Sequence, residues 1–319
     1  MKLLTYDSGS GPRCGVLSDN LVVDVSALLG VDQTLIDVRA LLELPDAPID
    51  RVRDALANDI AAPAVPLPMV RLRAPVLQPP TVRDFFSFEG HASGQGARTL
   101  HEAWYRLPIF YFSNTLRIFG PEDEVPFPSA TNQLDFEMEL GCVIGREGSD
   151  IAAADALDYI AGFCIFNDFS ARDLQFDEMA VGLGPAKGKD SATCLGPWLV
   201  TTDEMEPYLR DGRLNVKCTV RVNGDVWLDG GDGGAAHHSW GDFVERASRD
   251  SRIVPGDVLG SGTVSGGSIP EAIARGIESA RYLQPGDVVE LEVEGIGKLR
   301  NTLGPQKNVD PAYRYQPKA

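Results

Sequence analysis

The sequence contains no apolar run approaching the roughly 18 to 20 residues that span a bilayer, and its first residues, MKLLTYDSGSG, lack the apolar stretch and small-residue cleavage site of a signal peptide. The expectation is a cytoplasmic protein with no membrane partner. Cysteine is sparse: the five present (Cys14, Cys142, Cys164, Cys194, Cys218) are odd in number, widely spaced and without a C-x-x-C pair. They read as small buried hydrophobes rather than as a disulfide framework. Histidine is rarer still, with four residues. Positive charge is the other shortage, since 29 Lys and Arg against 46 Asp and Glu leave a formal net charge of -17. Such a field opposes phosphate backbones and anionic membrane surfaces, so nucleic acid is not expected as a partner. An anionic substrate would need a local cluster of Lys or Arg, or a cation, to overcome it. Internal repeats and low-complexity tracts are lacking as well. Neither glycine-rich segment is a nucleotide fingerprint: GLGPAKGKDSAT has Leu183 where a phosphate loop needs Gly and Asp190 where it needs Ser or Thr, and LGSGTVSGG lacks the third glycine and a surrounding βαβ pattern.

What is present is an ordinary globular composition, with 43% hydrophobic and 24% charged residues in a chain of 319. That length supports one large domain or a small one plus a large one. Short strand-like strings (Lys2 to Tyr6, Arg13 to Leu17, Leu21 to Val25) and one helical stretch (Arg51 to Asn58) precede the Pro-rich segment AAPAVPLP, which ends regular structure. Residues 1–72 are therefore expected to form a small α/β amino-terminal domain, and residues 73–319 the main body. In the body, Asn223-Gly224 between TVRV and DVWL signals a hairpin, and two Pro-Gly-Asp turns, at 255–257 and 285–287, each precede β-rich strings. Helical patterns are fewer: His101 to Arg106, Gly241 to Arg249 and Ser170 to Ala180. The pattern predicts a mainly β, α+β fold.

Five segments can carry chemistry. In LDFEMELGCVIG the period-two geometry of a strand puts Phe136, Met138, Leu140 and Cys142 on one face and Glu137 and Glu139 together on the other. This is either a half-buried strand with a solvated acidic face or a pair of hard oxygen ligands. In FNDFSARDLQ, Asp168 is a helix cap or a further ligand, and Arg172 and Gln175, three residues apart, share one helical face. In TVRDFFSFEGHASG, Asp84 follows a short apolar string, and His91, one of few histidines, is either structural or catalytic; its flanking Gly90 and Ser93-Gly94 signal a loop, where catalytic groups concentrate. The turn GPAKGKD presents Lys187 and Lys189, and LGSGTVSGG offers hydroxyls and free backbone amides, as a site for an anion would.

Taken together and in this order, the strings DFEMEL, GFCIFNDFSARDLQ, GPAKGKD and SGTVSG resemble the fumarylacetoacetate hydrolase family, and the resemblance runs from about Arg83 to Leu303. The early string RCGVLSDNLVVDV is similar to the family's amino-terminal piece. The resemblance implies a mixed β-sandwich or roll body and a divalent cation on Glu137, Glu139 and Asp168. Fumarylacetoacetases add an Asp ligand and, seven residues on, a general-base His, and Asp84 and His91 match that spacing. The His-x-x-Glu pair of the decarboxylase and acylpyruvase branch is not found here. By the same comparison Arg172, Gln175, Lys189, Tyr111 and Thr263 match substrate-contacting positions, with Lys189 also catalytic. The Glu that supports the family's His has Ser268 at its equivalent place, with Glu271 nearby and Glu89 as another partner.

Four carboxylates without His or Cys make an all-oxygen site, which selects Mg²⁺, with Ca²⁺ or Mn²⁺ as alternatives, over Zn²⁺. The implied reaction is hydrolysis of a C–C bond in a small anionic β-diketo acid of the fumarylacetoacetate or acylpyruvate type. There the cation polarises the carbonyl and stabilises the departing enolate, Lys189 and Arg172 neutralise negative charge, and His91 activates water. The alternatives are decarboxylation or enol–keto isomerisation of an oxaloacetate- or hydroxydienedioate-like acid, which needs no water nucleophile, and a silent relative that only binds a metal and an acid. The family further implies a homodimer.

Overall fold

The computed structural model describes residues 1–307; residues 308–319, the end of the expected second segment, lie outside the described residues. The expected amino-terminal strands occupy Lys2–Asp7, Pro12–Ser18 and Leu21–Asp24. The third stops before Val25 because the Asp24 side chain accepts a hydrogen bond from the Ala27 amide at 3.0 Å and caps a short helix. The first long helix is Pro48–Ala57, with Pro48 at its first position, where a missing amide hydrogen costs nothing.

These strands are continuous with the body. Lys2 and Leu3 pair antiparallel with Val200 and Leu199 of the strand Thr193–Thr201. Leu3, Cys14 and Val16 share one apolar cluster with Cys164, Phe166 and Leu199. We propose that residues 1–72 are a unit in sequence order whose core is completed by the body. In the large sheet, the strands Thr193–Thr201, Ile160–Asp168, Met138–Ile144, Val258–Gly260, Val82–Phe85 and Phe110–Phe112 follow one another as neighbours.

A second sheet of five strands contains the predicted hairpin, Lys217–Val222 and Asp225–Asp232, with Val222 opposite Asp225. Asn223 and Gly224 both have positive φ, 53° and 90°, the conformation a two-residue hairpin turn needs. Both Pro-Gly-Asp turns form, and their aspartates accept from the chain just ahead: Asp257 from the Val254 amide at 3.0 Å and Asp287 from that of Gln284 at 2.7 Å. The inward residues of the two sheets, among them Leu140, Cys142, Val220, Leu291 and Leu299, merge in one core with Trp240 and Phe243 of the helix Trp240–Ser248. This is the expected mainly β, α+β architecture. All five cysteines are buried and free. Among the described residues no helix is long and apolar enough to cross a membrane.

The predicted helix at Ser170 starts two residues later, at Arg172–Val181. Ser170 and Ala171 are held back by pairing with Asp135 and Leu134. A chain beginning at residue 73 loses the strand that covers Leu195, Leu199 and Phe166. It is expected to aggregate or to melt without cooperativity. A soluble fragment with a sharp circular-dichroism melt would show instead that the body folds alone.

Candidate active site

The strand register gathers four carboxylates at one place. Asp84 sits in Val82–Phe85, opposite Tyr111 on one side and Gly260 on the other. Glu139 lies opposite Phe166, and Asp168 ends its strand opposite Thr193. Glu137, just ahead of Met138–Ile144, bridges to Ser268. Ligand oxygens of Asp84, Glu137, Glu139 and Asp168 all lie within 4.8 Å of one another. The approach depends on Gly260, where an added Cβ would sit 2.5 Å from Asp84 Oδ1 and 3.1 Å from Glu139 Oε2.

Burial decides between the two readings of the acidic strand. Glu137 and Glu139 are 3% and 1% exposed, so their face is not solvated. Nor is Asp168 a helix cap, since that position belongs to Ala171. The cage is tied together by Lys189, whose ammonium donates to Asp168 Oδ2 at 2.6 Å, to Ser170 Oγ at 2.7 Å and to Glu137. Tyr111 donates its hydroxyl to Asp84 Oδ2 at 2.9 Å and also contacts Asp168. Arg172 bridges Glu137 Oε1 at 2.6 Å and Asp135 Oδ2 at 2.5 Å.

Five buried carboxylates thus face two cations, and their acidities divide accordingly. Arg172 and Lys189 overcome the burial of Glu137 and hold it well below the carboxylate range. Burial, followed by the Asp84 carboxylate, pushes Glu139 well up. Asp84 is also raised by burial, and Asp168 is pushed up to about 8, burial outweighing Lys189. Asp84 Oδ1 and Asp168 Oδ1 are buried with no hydrogen-bond partner. Orphaned acceptors in a cage of uncompensated charge are costly, and a hard divalent cation with oxygen ligands would satisfy both deficits. The residues therefore fit such an ion.

Beside the cage, the short helix Glu89–Ala92 carries His91. Its Nδ1 lies 2.9 Å from Glu271 Oε2, and its Nε2 lies 3.5 Å from Glu137 Oε1. Glu271 also accepts from Ser268 Oγ at 2.7 Å, Gln95 Nε2 at 2.7 Å and the Gly266 amide at 2.8 Å. Burial opposes its charge, but the His91 contact and the hydrogen bonds from Ser268 and Gly266 hold its carboxyl below the usual range. An ionised Glu271 accepts only, so His91 Nδ1 carries the hydrogen between them. Glu89, the other expected partner, is turned away and accepts from the Tyr105 hydroxyl at 2.7 Å. Thr263 Oγ1 stands 3.4 Å from Glu139 Oε1, and Gln175 accepts from Arg172 at 2.9 Å. Both line, with His91 and Lys189, a cavity of about 530 Å³.

Two supporting residues escaped the sequence reading. Asp135 receives Arg172 and, at 2.8 Å, the amide of Ile269, which opens the helix Ile269–Ala274 carrying Glu271. Its signal was available: Asp135, Glu137 and Glu139 alternate on one strand face. Glu178 accepts from three successive amides of the lysine turn, Ala186 at 2.8 Å, Lys187 at 2.6 Å and Gly188 at 3.2 Å. Nothing in the sequence marks it, because that pairing depends on how the turn folds back on the helix.

A buried all-carboxylate cage at the ends of sheet strands, flanked by a His–Glu pair and a lysine, defines an enzyme-like site built for a hard cation and an anionic ligand. The chain belongs to the fumarylacetoacetate hydrolase family: the model of the fumarylacetoacetate (FAA) hydrolase C-terminal region matches residues 81–304. The human mitochondrial oxaloacetate tautomerase FAHD2A is 31% identical over 298 residues, 92% of this chain and 88% of that protein. A 5-carboxymethyl-2-hydroxymuconate delta-isomerase from Mycobacterium smegmatis is 26% identical and superposes with a TM-score of 0.68, covering 96% of this chain and 100% of its own. Maleylpyruvate hydrolase from Sphingobium sp. SYK-6, solved with manganese(II) and pyruvate, shares the fold at 20% identity and a TM-score of 0.72, over 96% of this chain and 100% of its own.

Glu139→Gln removes a buried, uncompensated carboxylate. The metal-free variant is expected to melt at or above the wild-type temperature, while the rise that Mn²⁺ gives the wild type, roughly 4 °C at about 100 times the dissociation constant, disappears. A variant that still responds to Mn²⁺ would remove Glu139 from the ligand set.

Proposed function

We propose that the protein is a divalent-metal-dependent hydrolase that cleaves a C–C bond in a small anionic β-diketo acid. The observation that carries this reading is the His91–Glu271 pair, set beside the carboxylate cage with Nε2 facing it. Asp84, Glu137, Glu139 and Asp168 would hold the cation, Mg²⁺ or, on the same oxygens, Ca²⁺ or Mn²⁺, and when bound it would polarise the substrate's carbonyls. The manganese and pyruvate bound by the maleylpyruvate hydrolase are consistent with such a site.

The remaining chemistry falls to the chain's own residues. Lys189 and Arg172 oppose the substrate's carboxylate charge, and Tyr111, Thr263 and Gln175 fix its position in the cavity. His91 Nε2 takes a proton from water as the oxygen adds to the distal carbonyl. Glu271 stabilises the imidazolium, as the carboxylate of an acyl-transfer triad does. The C–C bond then breaks, and the proton held on His91 passes to the departing carbon, giving a carboxylic acid and a shorter oxo acid. We propose a homodimer as the working assembly, on the family resemblance.

The tautomerase relative favours a second reading, enol–keto exchange of an oxaloacetate-like acid, which moves a proton and consumes no water. The two separate by experiment. With the first, stripped enzyme regains the ability to bleach the diketone absorbance of acetylpyruvate or fumarylacetoacetate when Mg²⁺ is added, and His91→Ala loses about 10²- to 10⁴-fold in kcat. Unchanged diketone absorbance, together with metal-dependent exchange of oxaloacetate tautomers that ignores His91→Ala, would replace the hydrolase reading by the tautomerase one.

A further inference from the structure

The face of the helix Arg172–Val181 that borders the cavity changes character along its length. Arg172, Gln175, Phe176 and Met179 stand at i, i+3, i+4 and i+7, one stripe of a helix, and all four line the cavity. The stripe begins at the cage, where Arg172 holds Glu137. At a rise of about 1.5 Å per residue it reaches Met179 about 10 Å farther on. Phe176 and Met179 are 57% and 48% exposed, so nothing among the described residues covers this outer half. Ile109 and Phe110 line the cavity as well, and Phe86, whose ring stands edge-on to that of His91 at 5.8 Å, lies at the inner end. A cavity of about 530 Å³ is within the usual range for drug-sized ligands, and a four-carbon diacid would leave most of it empty.

We infer that this outer half is the subsite for an apolar acyl group, so that the substrate is a 2,4-dioxo acid with an extended alkyl or aryl tail rather than a diacid. The inference rests on the site reading above, with the carboxylate and dicarbonyl head at the cage. The head meets Lys189 and Arg172, while the tail meets hydrocarbon. The cation on this cavity wall that makes no ion pair among the described residues is Arg98; its Nε donates to the Ala92 carbonyl at 2.6 Å, and its terminal nitrogens are the groups that a diacid's second carboxylate would have to reach.

The test uses the Mn²⁺-loaded protein with acetyl-, butanoyl-, hexanoyl- and benzoylpyruvate, and with fumarylacetoacetate as the diacid. Turnover is read as kcat/KM. Binding is read by calorimetry on His91→Ala, so that it does not depend on cleavage. Both are expected to improve about fourfold per added methylene until the chain outruns the cavity. The hexanoyl-to-acetyl ratio is expected to fall at least about tenfold in the double variant Phe176→Ala, Met179→Ala. Affinity that is flat with tail length overturns the inference, as does preference for fumarylacetoacetate that is lost in Arg98→Ala. Dissociation of a dimer to monomers by the double variant, with the ratio unchanged, also overturns it by assigning the patch to a second copy. Length-dependent binding without cleavage of any compound keeps the tail subsite and sinks the hydrolase reading instead.

Discussion

Repulsion among like charges is the constraint to which the body of the protein answers. Four carboxylates whose oxygens lie within 4.8 Å of one another, all buried, would not stay together on a flexible scaffold. They are fixed by the ladders of adjacent strands, and each has a specific restraint: Lys189 on Glu137 and Asp168, Arg172 on Glu137, Tyr111 on Asp84, and the Gly262 amide on Glu139 at 3.0 Å. Even so the cations fall short of the anions, and two oxygens remain without partners. That deficit is one that a hard cation with oxygen ligands would fill.

The His91–Glu271 pair depends on the same framework at one remove. Asp135 spends one oxygen on Arg172 and the other on the amide that starts the Glu271 helix. A displacement of Arg172 would therefore reach the base as well as the cage. On the proposed reading, a cation held in the cage would serve hydrolysis and tautomerisation alike, since both pass through an enol or enolate.

Much of this was legible in the sequence because it is written in local periodicity. Strand alternation placed Glu137 and Glu139 on one face, the Asn-Gly and Pro-Gly-Asp turns fell where expected, and the resemblance pointed to Asp84, Asp168, His91 and Lys189. What stayed hidden was tertiary. That the acidic face is buried follows from what packs over it, not from LDFEMEL itself. The choice of Glu271 over Glu89 depends on Ser268, Gly266 and Gln95 converging on one carboxylate. The helix pattern beginning at Ser170 gave way to a two-residue strand pair because Asp135 and Leu134 were there to receive it. Each is a case of long-range pairing overriding a local preference.

The anchoring of the lysine turn on Glu178 joins two properties that could otherwise vary separately. Glu178 belongs to the helix Arg172–Val181, whose neighbouring stripe walls the cavity, and through three amides it also holds the turn that delivers Lys189 to the cage. A shift of that helix to admit a larger or smaller ligand would carry the lysine with it. Changes of selectivity are therefore free mainly at side-chain tips such as Phe176 and Met179, and constrained in the helix backbone, so diversification here should proceed by exchanging side chains on a fixed rod.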